Sequence, residues 1–364
     1  MIALVFISFV VSVLAVYLCI VLADRHAQRY DAQAVQRFHA GHVPRVGGAG
    51  MFVGLAVGWL CAGFFGFQIF NIALTPLTAA AALVCLVPAV FGGVAEDITQ
   101  RLSPRYRLIL TAASALLACV LLDLSLTRLG IPVLDHWLAR LPLMAVLLSV
   151  FAMGGLPHAF NLIDGYNGLA AAVTLFICMA LAHVCLQLGD RQLAALVLCL
   201  AGATAGFLFW NYPRGLIFAG DGGAYLWGVV IAIVSIKLVQ RHEQVSPWFP
   251  MLLLMYPVSE TVFSIYRKLA RGQSPGSPDA LHLHQLIYRR VVRGTAVDDT
   301  RTMLMRNNRT SPYLWGLALL TVFPALLFWR NTPVLAGFCA AFACTYVFLY
   351  VAIARFKVPH WLRK

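Results

Sequence analysis

The sequence contains little charge and especially few acidic residues. Only 11% of its 364 residues are Asp, Glu, Lys or Arg, and the 14 acidic residues face 27 basic ones. A soluble domain carries roughly 25% charged residues, whereas here 61% of the residues are hydrophobic and the mean hydropathy is +0.82. This composition excludes an ordinary soluble enzyme and indicates an integral membrane protein.

Paired cysteine motifs are absent as well. The nine Cys residues all fall inside apolar runs, and no CxxC pair occurs. Such residues are expected to behave as small hydrophobic side chains. The sequence therefore argues against both a disulfide framework and a zinc site.

Long apolar runs recur from end to end and predict a single membrane domain, 1–364, of eleven spanning helices. A span needs about 20 apolar residues. The first run has no basic segment before it and no small-residue cleavage site, so we interpret it as a retained helix rather than a signal peptide. The predicted fold class is all-α and polytopic. The predicted spans are 2–23, 49–67, 72–92, 106–122, 142–157, 168–187, 192–210, 222–240, 249–268, 312–329 and 332–354.

The basic residues are distributed unevenly between alternate loops. One set of loops, together with the C-terminal tail, holds 21 of the 27 Lys and Arg residues. By the positive-inside rule these loops are cytoplasmic, so the N-terminus is predicted to be periplasmic and the C-terminus cytoplasmic. The same bias accounts for the net charge of +13 without a nucleic-acid partner. The predicted cytoplasmic loops, which would form the active-site face, are 24–48, 93–107, 158–167, 211–221 and 267–311.

Four acidic residues lie at predicted cytoplasmic helix ends. Glu96 and Asp97 are adjacent after the third span, Asp164 lies in FNLIDGYNGLA, and Asp221 lies in a glycine-rich turn before the eighth span. Each one alone could be a helix cap or a solvated loop acid. Together with glycines that let backbone N–H groups approach an anion, they match the needs of a Mg²⁺-diphosphate site.

Basic and imidazole groups lie on the same predicted face. His39 and Arg45 precede the second span in RFHAGHVPRVGG, where a helix N-terminus favours phosphate binding; attraction to anionic lipid headgroups is an equal alternative. His282 and His284 are two residues apart, which is a poor spacing for a zinc pair. They either present imidazoles to phosphoryl oxygens or are exposed loop histidines.

Two ionisable residues are predicted inside spans. Glu260 needs a partner, and Arg267 lies two helical turns further along the same face. Glu260 could be a structural support or a proton carrier, and the sequence favours support. His183 is predicted to be a packed, hydrogen-bonded core residue.

Five segments in order resemble the polyprenyl-phosphate N-acetylhexosamine-1-phosphate transferases. They are RFHAGHVPRVGG, the Glu96–Asp97 pair with RLSPRYRL, NLIDGYNGLA, GLIFAGDGGAYLWG and SPDALHLHQLIYRR, and together they extend over most of the chain. The resemblance implies transfer of an N-acetylhexosamine 1-phosphate from a UDP-sugar to undecaprenyl phosphate, with release of UMP, at the cytoplasmic face of the bacterial inner membrane. It implies initiation of O-antigen or another surface glycan, with a peptidoglycan-precursor reaction as the alternative.

The resemblance also implies roles for single residues. Mg²⁺, or Mn²⁺ as an alternative, would bind Asp221 and Asn161. Asp97, with Glu96, would act at the phosphoryl-transfer centre, and Asp97 would accept a proton or orient an oxygen. The residues implied for nucleotide binding are Asn161, Asp164, Gly165, Asn167 and Phe218, and those implied for phosphate binding are His39, Arg45, His282 and His284.

Three positions depart from the family pattern. Glu96 replaces the usual Asp, Gln285 follows His284 where a second His is common, and His158 replaces an Asn. Segment 294–311 is the predicted surface for sugar recognition, and a homodimer is compatible with the sequence.

A secondary transporter is the alternative class of protein, but it would show paired repeats and more ionisable residues near the midplane.

Overall fold

The structure, a computed structural model, describes residues 1–27, 43–274, 281–292 and 300–355. The chain is 81% helical and has no strand in these ranges, which confirms the predicted all-α class. The α-helices found there are α1 (Ile2–Ala27), α2 (Gly47–Phe65), α3 (Pro76–Thr99), α4 (Pro104–Leu121), α5 (Pro132–Arg140), α6 (Pro142–Ile163), α7 (Leu169–Gln187), α8 (Arg191–Asn211), α9 (Gly220–Arg241), α10 (Trp248–Leu253), α11 (Met255–Ala270), α12 (Leu283–Arg290), α13 (Thr300–Phe328) and α14 (Thr332–Ala354).

In the described ranges, ten helices are long and apolar enough to cross a membrane, against the eleven spans predicted. The difference lies at the predicted span 249–268, which consists of α10 and α11. The two helices meet at Leu254. Pro257 has no N–H to donate to the carbonyl of Leu253, so the helical hydrogen-bond ladder is interrupted at this point.

Helix α9 lies at the centre of the bundle, packed against α2, α3, α6 and α8. Apolar side chains gain little by leaving lipid for a protein neighbour, so spanning helices associate through close packing of small residues. A Cβ atom at Gly93 would lie 2.4 Å from the backbone nitrogen of Gly222, and one at Gly48 would overlap the backbone of Gly223. These glycines bring α2 and α3 into backbone contact with the first turn of α9.

The outer helices expose large apolar side chains. Phe6 on α1, Val120 on α4, Phe151 on α6 and Phe348 on α14 are all exposed. A surface of this kind is suited to lipid, which agrees with a multi-pass membrane protein. His183 is also exposed on α7, with Gln187 as its hydrogen-bonding neighbour, so its predicted core position is wrong.

Several helices extend beyond the predicted spans. Helix α3 continues to Thr99 and α6 to Ile163, so the acidic pair of α3 and Asn161 of α6 lie in terminal helical turns rather than in loops. Helix α13 begins at Thr300, well before its predicted start at 312. Much of the predicted sugar-recognition segment is therefore helical.

Candidate active site

The carboxylate of Asp97 caps the first turn of α9 from the neighbouring helix α3. Its Oδ1 accepts the N–H of Asp221 at 2.8 Å, and its Oδ2 accepts the N–H of Gly222 at 2.9 Å. The carboxylate thereby satisfies two terminal N–H groups and lies at the positive end of the helix dipole. Gly220 is required just before this turn, because its φ is +70° and a Cβ there would overlap the Arg45 carbonyl and the Asp97 carboxylate.

Asp221 joins α9 to two further helices. Its Oδ2 accepts hydrogen bonds from Arg107 of α4 at 2.7 Å and from the Tyr225 hydroxyl at 3.0 Å, while its Oδ1 accepts one from Nδ2 of Asn161 on α6 at 2.7 Å. Charge-assisted bonds of this length are the strong ones. Among the described residues, Oδ1 accepts a single hydrogen bond, so one of its lone pairs is available to a further ligand.

The site holds more negative than positive charge. Glu96, Asp97 and Asp164 each interact electrostatically with Asp221. Two unit charges 4 Å apart repel by about 4 kcal/mol at an effective dielectric constant of 20. With all four carboxylates ionised, Arg45 and Arg107 would leave two negative charges unbalanced, which is the charge that a divalent cation neutralises.

Asp164 follows the last residue of α6. Its carboxylate accepts a hydrogen bond from the backbone N–H of Gly220. Removal from water raises the pKa of this carboxyl to about 7, and the nearby charge of Asp221 raises it further while the Gly220 hydrogen bond opposes the rise. A cation bound nearby would favour the ionised form of the Asp164 carboxyl.

The histidine segment reaches the turn after α6, as the sequence predicts. A Cβ atom at Gly165 would lie 3.1 Å from Nε2 of His284, and the His284 ring centroid is 5.4 Å from that of Tyr166. The rings of His282 and His284 are nearly parallel, at 14° and 5.4 Å between centroids, and both side chains are buried. The NLIDG turn and the histidine segment therefore belong to one site.

Glu260 contacts a histidine rather than the predicted Arg267. Its Oε1 lies 3.1 Å from Nδ1 of His282. Arg267 instead donates to the carbonyl of Leu281, with its guanidinium 4.7 Å from the ring centroid of Tyr350. Helical spacing is compatible with an Arg267 partner, but the start of α12 supplies the nearer group.

Asn167 and Phe218, which the family resemblance places at the nucleotide, are buried. Nδ2 of Asn167 donates to Asn308, and its backbone N–H donates to Asn307. The backbone N–H of Phe218 donates to the carbonyl of Pro44. Stacking on a base requires an accessible ring, and Phe218 is only 8% exposed. Both nucleotide-binding roles stay predictions.

Arg45 lies on a segment that is hydrogen-bonded to the residues just before α9. The backbone N–H of Gly47 donates to the carbonyl of Phe218 at 3.0 Å, and the charge of Arg45 acts on Asp97. His39, the other residue predicted to hold the lipid phosphate, lies outside the described residues. Of the two residues predicted to bind phosphate in this segment, the described ranges therefore place Arg45 at the site.

Arg107 and Tyr225 were missed by sequence reasoning. Tyr225 is one helical turn after Asp221, a spacing that predicts a shared face. Arg107 is one of three arginines in RLSPRYRL, and the sequence does not distinguish among them. Behind Tyr225, the ring of His158 lies 5.1 Å from the Tyr225 ring, and its Nε2 lies 3.1 Å from Oγ1 of Thr111.

The described ranges contain no group of three or more His, Cys, Asp or Glu side chains that could hold a metal ion. Mg²⁺ commonly binds one or two carboxylates and completes its octahedron with water and substrate phosphates. Asp221 and the amide oxygen of Asn161 offer oxygen donors of this kind. The donors and the excess negative charge fit Mg²⁺ that is bound together with a substrate.

The fold and the site define a multi-pass membrane protein with an acidic, arginine-containing site at the ends of several helices. The model of glycosyl transferase family 4 matches residues 79–239, which include the acidic pair, the NLIDG turn and the GDGG turn. This match and the similar proteins described next support this family for the chain.

Similar proteins carry related descriptions. A protein of Bacillus subtilis, described as a probable undecaprenyl-phosphate N-acetylglucosaminyl 1-phosphate transferase, is 29% identical over 76% of this chain and 75% of its own length. The undecaprenyl-phosphate alpha-N-acetylglucosaminyl 1-phosphate transferase of Escherichia coli K12 is 27% identical over 71% of this chain and 69% of its own length. The protein of the same description from Thermotoga maritima is 27% identical over 78% and 79%.

Proposed function

We propose that this protein transfers N-acetylhexosamine 1-phosphate from a UDP-N-acetylhexosamine to undecaprenyl phosphate. An oxygen of the lipid phosphate attacks the phosphorus next to the sugar, the bond to UMP breaks, and UMP leaves with the bonding electrons. The product is an undecaprenyl diphosphate sugar that begins O-antigen or another surface glycan. The reaction takes place at the cytoplasmic face of a bacterial inner membrane.

The observation that carries this proposal is the meeting of Asp97, Asn161, Arg107 and Asp221 at the first turn of α9. Both substrates are anions, so their approach in a cleft of low dielectric constant is repulsive. Cations, backbone N–H groups and helix N-termini are the means by which proteins offset such repulsion. The names of the similar proteins favour undecaprenyl phosphate as acceptor and N-acetylglucosamine as the sugar.

The residues of the chain divide between binding and positioning. Arg45 and Arg107 neutralise phosphate charge, and His282 and His284 contact the phosphates of the nucleotide sugar. Asp97 holds the first turn of α9 through both of its oxygens. This contact gives it a positioning role, and proton acceptance by Asp97 stays a prediction.

Asp221 and Asn161 are the residues that would hold Mg²⁺, with Mn²⁺ as an alternative. Bound there, the ion would neutralise negative charge on the diphosphate. Arg107 donates a hydrogen bond to Oδ2 of Asp221, so it orients this carboxylate before any ligand arrives.

A direct assay tests the proposal. Purified protein given undecaprenyl phosphate should release UMP from one member of a UDP-sugar panel that includes the N-acetylglucosamine and N-acetylgalactosamine donors. EDTA should lower the initial rate by about 100-fold or more, and added Mg²⁺ should restore it. UMP release from none of the sugars would refute the proposed function, and a rate that is indifferent to EDTA would refute the metal.

Replacing Arg107 with glutamine should lower kcat/KM by about 10- to 100-fold, because it removes a positive charge from the carboxylate and from the phosphates. Initial rates with each substrate varied in turn will measure this. The matched control is Arg105→Gln on the same helical turn, where the side chain is exposed. Equal rates for the two variants would mean that Arg107 has no part in the reaction.

A further inference from the structure

Glu260 is a fully buried carboxylate that has no role in the proposed reaction. Its side chain is 0% exposed, and Oε1 lies 3.1 Å from Nδ1 of His282 and accepts the backbone N–H of Leu283 at 3.0 Å. A buried carboxylate is costly unless its oxygens are paired. Both of these partners belong to the segment that opens α12, so the pairing fixes this segment on α11.

The contact also orients the ring of His282, because its Nδ1 lies within hydrogen-bonding distance of Oε1 of Glu260. Gln285 holds the backbone of the same residue through a hydrogen bond from the His282 N–H to Oε1 at 3.1 Å. Glu260 and Gln285 therefore hold the ring and the backbone of His282 in place.

The two histidines connect Glu260 to the NLIDG turn of the active site. The His282 ring lies parallel to that of His284, whose Nε2 faces Gly165. Among the described residues, Tyr256 on the same helix and Tyr346 on α14 also interact with Glu260.

We propose that Glu260 is a positioning residue for phosphate recognition: it fixes the ring of His282, and through the stacked pair it orients His284 at the NLIDG turn. This inference rests on the proposed function, in which the two histidines contact the phosphates of the nucleotide sugar. Glu260 itself touches no substrate. Its effect is confined to the donor side of the reaction.

The first test is Glu260→Gln, which keeps the size of the side chain and an acceptor for the Leu283 N–H but removes the charge. It should lower kcat/KM for the UDP-sugar by about 30-fold or more, since a group that orients a functional histidine commonly contributes 10- to 100-fold. The KM for undecaprenyl phosphate should stay within about twofold of wild type. The matched control is Glu243→Gln, the same change at an exposed residue of the α9–α10 loop.

A double-mutant cycle separates positioning from a general structural role. In a His282→Asn background, Glu260→Gln should cost less than about threefold more, because Glu260 acts through His282. Losses that multiply would overturn the inference, as would a Glu260→Gln enzyme that matches Glu243→Gln. If Glu260→Gln does not accumulate in folded form, the cycle is run with Glu260→Asp and interpreted in the same way. A wild-type protein that releases no UMP would refute the proposed function, whereas an active wild type with multiplicative losses would refute only the role of Glu260.

Discussion

Replacing Asp221 with asparagine is expected to lower kcat/KM by about 10³-fold or more while the protein still folds in the membrane. Asparagine has one acceptor oxygen, so it cannot serve Asn161 and Arg107 together, and its NH₂ group would face another donor. The change also removes the charge that would hold a divalent cation. A loss of this size is typical when a group that stabilises developing charge is removed.

The measurement is the initial rate of UMP release, with melting temperature and detergent-extracted yield as tests of folding. The matched control is Asp123→Asn, just beyond the C-terminal end of α4 and far along that helix from Arg107. Asp123 is exposed and has a φ of +51°, a conformation that asparagine tolerates well. Activity retained by Asp221→Asn would overturn the assignment of this residue to a cation, and a low yield of both variants would point to a general folding defect.

Replacing Gly93 with alanine is expected to lower activity by about 100-fold, although it removes no chemical group. The new Cβ would lie 2.4 Å from the nitrogen of Gly222 and 2.6 Å from the carbonyl carbon of Asp221. Neither atom belongs to a flexible side chain, so α3 and α9 must move apart and carry Asp97 away from its two N–H partners. Small misplacements at a reacting centre are known to cost about this much in rate.

The same substitution should reduce stability by the 1–3 kcal/mol that is roughly typical of overpacking, seen as a lower Tm. Gly155→Ala on α6 is the control, because nothing lies within 4 Å of its added Cβ. Alanine is the better helix former, so this control should be neutral or slightly stabilising. Normal activity in Gly93→Ala would show that the contact between α3 and α9 does not govern the geometry of Asp221.

Both predictions depend on the same construction at the first turn of α9. Gly93 and Gly222 let two helices meet backbone to backbone, and Asp97 then bonds across the junction. Arg107 and Asn161 reach the adjacent Asp221 from α4 and α6. Helices α4 and α6 therefore meet α9 at one carboxylate, while α3 bonds to the backbone of the same turn. A change in any of them is expected to act on the reaction through that group.

The sequence predicted which acids belong to the site but not what they contact. Asp97 was predicted to accept a proton or orient an oxygen, and the structure adds that its oxygens bond to two N–H groups of α9. Such a contact depends on how closely α3 approaches α9, and spacing along one helix carries no information about distance to another. For the same reason the sequence predicted Arg267 as the partner of Glu260, whereas its partner in the structure is His282.

Hydropathy is a local property, because a run of about 20 apolar residues meets the bilayer in the same way whatever its neighbours are. For that reason the sequence by itself determined the all-α membrane fold, most of its spans and the polar segments at their ends. The break at Leu254 and the partners of Asp221, Asp97 and Glu260 were decided only by the tertiary structure. A buried charge must find its counter-charge or donor wherever packing brings one close, and that packing is a property of the whole bundle.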